Sequence, residues 1–522
     1  MSEALRIFSL PEDTDVEALL AGARDRFRIE QTGPLPVTRR YFDTFDWRLH
    51  DAGTALFFEV TPEGRLLRWE RLSDRTPLYT LSVPKPPRMA KDLPPGAFRE
   101  ALAAATDPRA LMPVVEVRLR EHRLSVLDRE RKTTARLIVS LRGEARKPTA
   151  RSGCVLPGCA CVAPVKGYGK ARRKLEAYLR DVAALPEDAG HEFTRALAAI
   201  GRTPGDNFAK LNFRLDPKER ADRAIRPVLL HLLDTMRHNE PGLRENLDTE
   251  FVHDYRVAVR RTRSILGQLK RIFPPEPLAH FRTEFKWLGE ITSPVRDLDV
   301  YLLRMDEYRA HLPESVRDDL APLGVFLEKR QRQAHAAMVA AMDTPRYRAL
   351  LREWRAFLEA PLPDEPPTPE AARPLRDVVS KRIRKTYRNV LKEGRAIGPQ
   401  TPAEALHEMR ITCKKLRYLL EIFRSLYPDK LMRRLIPAVK SLQTVLGDHQ
   451  DFAVQQEALQ DFARQMAAEG VAPVETLTAM GRLEAYLAER QLQARAAFAE
   501  SFARFASPDH RKRFEKLFRH AA

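Results

Sequence analysis

The sequence predicts a two-domain α+β chain: an N-terminal antiparallel β-barrel-like domain with flanking helices, then a C-terminal all-α domain built as a duplicated helical bundle. Three observations predict it. Residues 1–205 carry short strand-like runs separated by Gly, Pro and Asp. Beyond Pro217 long helical periods take over. An eleven-residue stretch, His253 to Arg263, recurs as His407 to Arg417. A length of 522 residues also exceeds what one core supports.

In the first domain, Asp13 to Arg28 suits a helix, with acid near its start and Arg24, Arg26 and Arg28 near its end. Val37 to Tyr41, Ala55 to Val60, Arg65 to Glu70, Leu78 to Val83, Val114 to Arg120 and Ala135 to Leu141 read as strands. Gly143 to Gly153 reads as a basic turn, followed by Cys154 to Val165 and a helix over Lys170 to Leu185. Short connections between strands favour antiparallel pairing. Cys154, Cys159 and Cys161 lack a nearby fourth ligand and zinc-like spacing, so a chance grouping in a strand pair is expected rather than a metal site.

The second domain predicts helices over Arg220 to Arg237, Phe251 to Phe273, His280 to Ile291, Asp297 to Ala310, Glu314 to Met342 and Arg346 to Leu358. The Pro-rich, acidic segment Ala360 to Pro374 reads as a linker. After it the pattern restarts at an offset of 154 residues: His253 maps to His407, Lys286 to Lys440 and Asp297 to Asp451. Two helical repeats, about 215–360 and 371–522, are therefore expected to pack with their equivalent faces on one groove.

Those faces carry the chemistry. At 100° per residue, His253, Arg256, Arg260 and Arg263 fall within about 80° of arc, and His407, Arg410, Lys414 and Arg417 repeat the pattern. The apolar positions Tyr255, Val259 and Leu266 lie on another side. A stripe of almost one sign, present twice, favours an anion-binding surface over a merely solvated face. A third helix adds Lys381, Arg384, Lys385, Arg388, Lys392 and Arg395 within about 100°. The candidate anion ligands are thus His253, Arg256, Arg260, Arg261, Arg263, Lys286, Lys381, Arg384, Lys385, Arg388, Lys392, His407, Arg410, Lys414, Lys415, Arg417 and Lys440. Asp297, Asp299, Asp448 and Asp451 are expected to cap helices or orient these arginines. Because the Lys381 helix has no cationic counterpart in the first repeat, the groove is expected to grip more strongly in the second half.

Composition agrees on the partner class. The net charge of +19 points to a polyanion such as nucleic acid, polyphosphate or an anionic membrane surface. From Ala371 to Lys440 eighteen Lys plus Arg face six Asp plus Glu, a net of +12. Four cysteines and the lack of a leader or an eighteen-residue apolar run lead to the expectation of a cytoplasmic protein without a membrane span. No phosphate-binding loop, nucleophile elbow or H-E-x-x-H is present, and no cofactor is expected. Aromatics are not interleaved with the cations and no helix-turn-helix pattern occurs, which disfavours nucleic acid without removing it.

The duplicated H-x-x-R-[VI]-x-x-[RK]-[RK]-x-R helices, the W-L-G-E-I-T-S-P-V-R-D-L-D-V stretch from Trp287 and L-G-D-H-Q-D from Leu446 resemble the CHAD family, the conserved-histidine α-helical domain, over about 215–522. The resemblance implies a two-halved helical bundle whose basic surface binds inorganic polyphosphate, with the stripe residues as ligands and polyphosphate granules as the location. The N-terminal part resembles the CYTH, or triphosphate tunnel, family through R-Y-F-D-T-F-D-W-R-L-H-D-A-G-T-A-L from Arg40's strand, E-V-R-L-R from Glu116 and P-V-K-G-Y from Pro164. That family implies a metal-dependent triphosphatase inside an antiparallel barrel. Its opening E-x-E-x-K becomes Glu3, Leu5 and Ile7, its R-x-R strand becomes Phe57 and Glu59, and Ser82 stands where a Lys belongs, while Arg118 and Arg120 remain. A degenerate, non-catalytic tunnel domain is therefore expected. The alternatives are a triphosphatase in the barrel and nucleic-acid binding in the basic groove. Oligomeric state is left open.

Overall fold

The computed structural model describes residues 5–187, 190–205, 213–398 and 400–518. Glu3 lies outside them. The chain divides into two units, Met1–Asn207 and Phe208–Ala522.

The first unit is one curled sheet of ten strands with helices: β1 (Arg6–Ser9), α1 (Val16–Arg26), β2 (Ile29–Asp43), α2 (Arg48–Asp51), β3 (Thr54–Thr61), β4 (Gly64–Arg71), β5 (Pro77–Ser82), α3 (Ala97–Thr106), β6 (Met112–Leu127), β7 (Thr133–Ser140), β8 (Gly143–Arg146), β9 (Cys154–Leu156), β10 (Cys159–Pro164), α4 (Gly169–Ala177) and α5 (Glu192–Ala199). Its order is β1-β10-β7-β6-β2-β3-β4-β5, with β8 against β6 and β9 against β8. Every described pairing is antiparallel. The sheet curls far enough for the Leu5 N–H to donate to the Asp74 carbonyl at 3.4 Å, between its two edges. Helix α1 starts where Asp15 accepts the Ala18 N–H at 3.0 Å. The turn after β2 is organised by buried Asp43, which accepts the N–H groups of Thr44, Leu49 and His50 at 2.7, 3.0 and 2.9 Å.

The stretch read as a basic turn after Gly143 begins with a strand instead. Arg146 pairs with Glu116 across β6 at 2.6 Å, a tertiary contact that local composition does not announce. Nor do β9 and β10 pair with each other: β9 lies on β8, while β10 lies between β1 and β7. Cys159 and Cys161 are consequently buried and Cys154 is exposed.

The second unit is helical: α6 (Ala221–Ala224), α7 (Arg226–Arg244), α8 (Thr249–Gln268), α9 (Pro275–Leu303), α10 (Met305–Ala310), α11 (Ala321–Met342), α12 (Pro345–Glu359), α13 (Leu375–Ala396), α14 (Ala403–Ile422), α15 (Asp429–Ala468), α16 (Val474–Phe505) and α17 (Pro508–Phe518). The repeat is visible in the boundaries. Helices α8 and α14 have the same length, and the starts of α8 and α14 and of α9 and α15 are both 154 positions apart. Large apolar side chains such as Tyr255, Phe285 and Trp354 are fully buried in the first repeat, and Phe423, Phe505 and Phe514 in the second. Where α13 crosses α16, Gly394 leaves room for the Phe502 ring, which a Cβ would meet at 2.1 Å.

The two helices expected at His280–Ile291 and Asp297–Ala310 are instead joined. Helix α9 continues through Pro294 to Leu303, and α15 likewise continues through Pro437. Tertiary packing on both sides outweighs the missing N–H of a single proline. Asp297, Asp299, Asp448 and Asp451 therefore lie inside helices and cap none. Among the described residues no helix is long and apolar enough to cross a membrane.

Candidate anion-binding groove

Helix α8 begins where Asp248 accepts the N–H groups of Glu250 and Phe251 at 2.9 and 3.2 Å. Phe251, Val252, Tyr255, Val259, Ile265 and Leu266 are buried along one side. In α14 the buried side is Leu406, Met409, Cys413, Leu416, Leu419 and Leu420. Burying these stripes fixes each helix's rotation and turns the basic stripe outward.

The two stripes meet. A cavity of about 420 Å³ is lined by Arg260, Arg263, Arg282 and Gln268 from the first repeat and by Arg382, Ile411, Lys414, Lys415 and Tyr418 from the second. A second cavity of about 300 Å³ shares Arg260 and Arg263 and extends over Arg256, Gly289, Thr292 and Ser293. Among the described residues no carboxylate lies within ion-pair distance of Arg260, Arg263, Lys414 or Lys415. Burial pushes the Lys414 ammonium down to about 8; Arg410, Arg260 and Arg417 add repulsion, and Asp451 opposes them. With Arg282 and Arg382, six cations thus share one concavity, and among the described residues none of them has a carboxylate within ion-pair distance.

Other stripe residues are held in place. Arg256 donates to the Gly289 carbonyl at 2.9 Å, to Thr292 Oγ1 at 2.8 Å and to Ser293 Oγ at 3.0 Å. Burial lowers its guanidinium to about 10 against the opposing pull of Asp297. Its equivalent Arg410 pairs with Asp451 at 2.6 Å. Arg417 and Lys440 lie 3.8 and 3.5 Å from Glu421. Half-buried Arg261 is pushed down by burial and supported by the same Glu421. Lys286 is exposed, 3.7 Å from Glu290. His407 is half-buried, its Nδ1 3.0 Å from Gln450 Oε1. His253 is half-buried on α8, and neither histidine lines a groove cavity.

The basic face of α13 goes elsewhere. Lys385, Arg388 and Lys392 are exposed, Arg384 is half-buried, and none of these lines either cavity. Lys381 pairs with Glu370 of the linker at 3.2 Å. The one α13 cation in the groove is Arg382, which donates to Gln268 Oε1 at 2.7 Å and was not among the expected ligands. It sits beside the exposed arc rather than within it, so helical periodicity alone passes over it. Both repeats supply cations to the larger cavity: Arg260, Arg263 and Arg282 from the first, Arg382, Lys414 and Lys415 from the second. Arg260 and Arg263 line both cavities; Glu290 of the first repeat also lines the smaller one, and Glu421 and Asp451 quench charge in the second repeat.

The curled sheet holds a different charge pattern. Arg39 on β2 pairs with Glu59, Glu121 and Glu192 at 2.8, 2.6 and 2.7 Å, all buried. Phe57 and Glu59 face this interior, whereas Ser82 does not line it. Arg118 and Arg120 do not line it either. Arg118 is on the outer side, where it joins Arg40 and Arg146 around buried Glu116. The interior has therefore not lost its charged groups, as its missing motif positions suggested. It carries them at other positions, paired with one another.

Comparison with known proteins places these features. The CHAD domain family model matches residues 227–460. Two uncharacterized proteins of Mycobacterium tuberculosis, from strains H37Rv and CDC 1551, are each 28% identical over 322 residues, 61% of this chain. The chain spans 58% of the length of these curated relatives. Among solved structures, the CHAD domain from the plant Ricinus communis is 27% identical and covers 56% of this chain and 96% of its own, with a TM-score of 0.47. The adenylyl cyclase HpAC1 from Hippeastrum, reported with a dominant triphosphatase activity, is 13% identical and covers 38% of this chain and 97% of its own, with a TM-score of 0.27. The stretch that the CHAD domain model matches, residues 227–460, holds every one of the groove's cations.

Proposed function

We propose that the protein binds inorganic polyphosphate, without transforming it, in the groove between the two helical repeats. The supporting observation is the convergence of Arg260, Arg263, Lys414 and Lys415 on one cavity with no carboxylate to pair them. Such a cluster repels itself until an anion with closely spaced charges lies among it. Arginine forks and lysine point charges together accept a flexible phosphate chain in many registers. The hydroxyls of Thr292 and Ser293, beside Arg256, extend the cradle with neutral donors. Binding is expected in the cytoplasm, on polyphosphate granules, and a fluorescent fusion should lose its puncta in cells lacking polyphosphate.

The N-terminal unit is proposed to be a degenerate tunnel domain with no triphosphatase activity. A triphosphatase of that kind needs carboxylates free to hold a divalent metal. Glu59, Glu121 and Glu192 are instead engaged by Arg39, and no group of three His, Cys, Asp or Glu among the described residues is arranged to hold an ion. The residues present do not fit the metal.

Titrating the full chain with long-chain polyphosphate at rising salt tests the reading. Binding should weaken steeply with salt, since each engaged cation releases a counterion. Comparable affinity for duplex DNA would sink the polyphosphate assignment, and phosphate release from tripolyphosphate with magnesium or manganese would overturn the non-catalytic one.

A further inference from the structure

The groove cavity of about 420 Å³ holds a side chain that can do more than attract an anion. Arginines stay protonated, whereas a lysine that gives up its proton becomes an amine nucleophile. Two lysines line the cavity: Lys415 is exposed and Lys414 is half-buried. Cations crowd Lys414 from several helices. Arg410 and Arg417 stand on α14 itself, four positions before it and three after, and Arg260 lines the same cavity from α8. Arg263, Arg282 and Arg382 complete the lining from α8, α9 and α13. On α15, Asp451 opposes this repulsion, but it is engaged by Arg410 at 2.6 Å. Among the described residues no carboxylate lies within ion-pair distance of Lys414. Burial, then the charges of Arg410, Arg260 and Arg417, lowers the ammonium to about 8. At about pH 7.5 roughly a quarter of the molecules then carry a neutral amine there, against roughly one in a thousand for an ordinary lysine.

We propose that Lys414 is a modification site, acylated by acyl phosphates that the groove cations draw in by their phosphate end. Half-buried Ile411 and Tyr418 line the same cavity and give the acyl end an apolar wall. The lone pair of Lys414 Nζ attacks the acyl carbon and forms an amide bond. The bond from that carbon to the phosphate oxygen breaks, orthophosphate leaves with the electron pair, and the proton lost from nitrogen passes to water. Arg260 and Arg263 stabilise the charge that grows on the departing phosphate. The step consumes no oxidant or reductant. It leaves a neutral amide where one of the six cavity cations stood. Its consequence rests on the polyphosphate reading of the groove: acylation then weakens the hold on polyphosphate.

Mass spectrometry of the full chain treated with acetyl phosphate at about pH 7.5 tests the site. The N-hydroxysuccinimide ester of acetic acid, which acylates lysine but carries no phosphate, is the reference reagent. With the ester, Lys414 should react about tenfold faster than exposed Lys385 and Lys392, through its larger neutral fraction alone. With acetyl phosphate the preference should be larger again by at least about tenfold, because the cations hold that reagent in place. Inorganic phosphate in excess should slow Lys414 selectively. Arg260→Gln, at an exposed position, should cut the extra preference at least about threefold. Equal selectivity with the two reagents, or no protection by phosphate, would overturn the proposal. Polyphosphate titration is read separately. Polyphosphate binding with Lys414 unlabelled removes this site alone, whereas a labelled Lys414 in a chain that does not bind polyphosphate supports the site and removes only the polyphosphate reading.

Discussion

Arg260 and Lys414 occupy the same position in their two repeats and line one cavity. Residues 154 positions apart in sequence thus face each other, as a pseudo-twofold arrangement requires. Burial, followed by repulsion from Arg410 and then Arg260, holds Lys414 down to about 8.

A pH dependence follows with a definite sign. Below pH 8 Lys414 is charged in the free protein, and an anion binds without changing its protonation. A bound anion raises the lysine's pKa, so above pH 8 binding must take up a proton, and affinity falls as pH rises. Polyphosphate affinity should drop about five- to tenfold between pH 7 and 9 at constant salt. Lys414→Arg, charged throughout, should flatten the profile. An unchanged slope in that variant would show that another group titrates.

Arg263 rests against Gly289, where a Cβ would meet Arg263 Nη1 at 2.8 Å and no other atom closer than 3.7 Å. That obstacle is the end of a flexible side chain, so Gly289→Ala should leave thermal stability within about 1 kcal/mol of the parent or raise it, since alanine favours the helix. The displaced guanidinium should nevertheless weaken polyphosphate binding by roughly three- to tenfold. Paired melting and calorimetry on one variant separate the two effects.

Arg39 supports a different prediction, in the other unit. Arg39→Met leaves Glu59, Glu121 and Glu192 buried without their shared cation, which should destabilise that unit by roughly 3–5 kcal/mol. Polyphosphate affinity should not change. The check is a thermal or urea scan, and loss of less than about 1 kcal/mol would mean that the glutamates neutralise or rehydrate cheaply.

The outer face of α13 provides a control with as much charge as the groove. Arg388→Glu with Lys392→Glu should change polyphosphate affinity by less than about threefold at physiological salt, because exposed charges beyond a Debye length of about 8 Å are screened. A loss as large as that from the groove residues would extend the site along this helix.

These residues show what the sequence disclosed and what it withheld. The duplication announced α8 and α14 as equivalent helices, because both repeats must bury the same apolar stripe, although α8 runs over Thr249–Gln268 rather than Phe251–Phe273. It also announced that Arg260 and Lys414 are equivalent. Periodicity reports which side of α13 is wet, though not what stands opposite, so Lys381 was grouped with a groove it does not line while Arg382 was passed over. Within the sheet, the resemblance marked Phe57 and Glu59 as altered, but the Arg39 cluster joins β2, β3, β6 and α5, and no local pattern links residues so far apart. Helix α9 runs on past its expected end at Ile291 because a proline is a local signal and the packing that overrides it is not.

The most direct measurement is the affinity of Arg260→Glu with Lys414→Glu, in one full-length chain, for long-chain polyphosphate at fixed salt and pH 7. Arg260 is exposed and Lys414 half-buried, so a melting curve of the double variant checks that it folds. Reversing two of the groove cations should cut affinity by at least about a hundredfold. Affinity within threefold of the parent would place the polyanion site outside the groove and contradict the account.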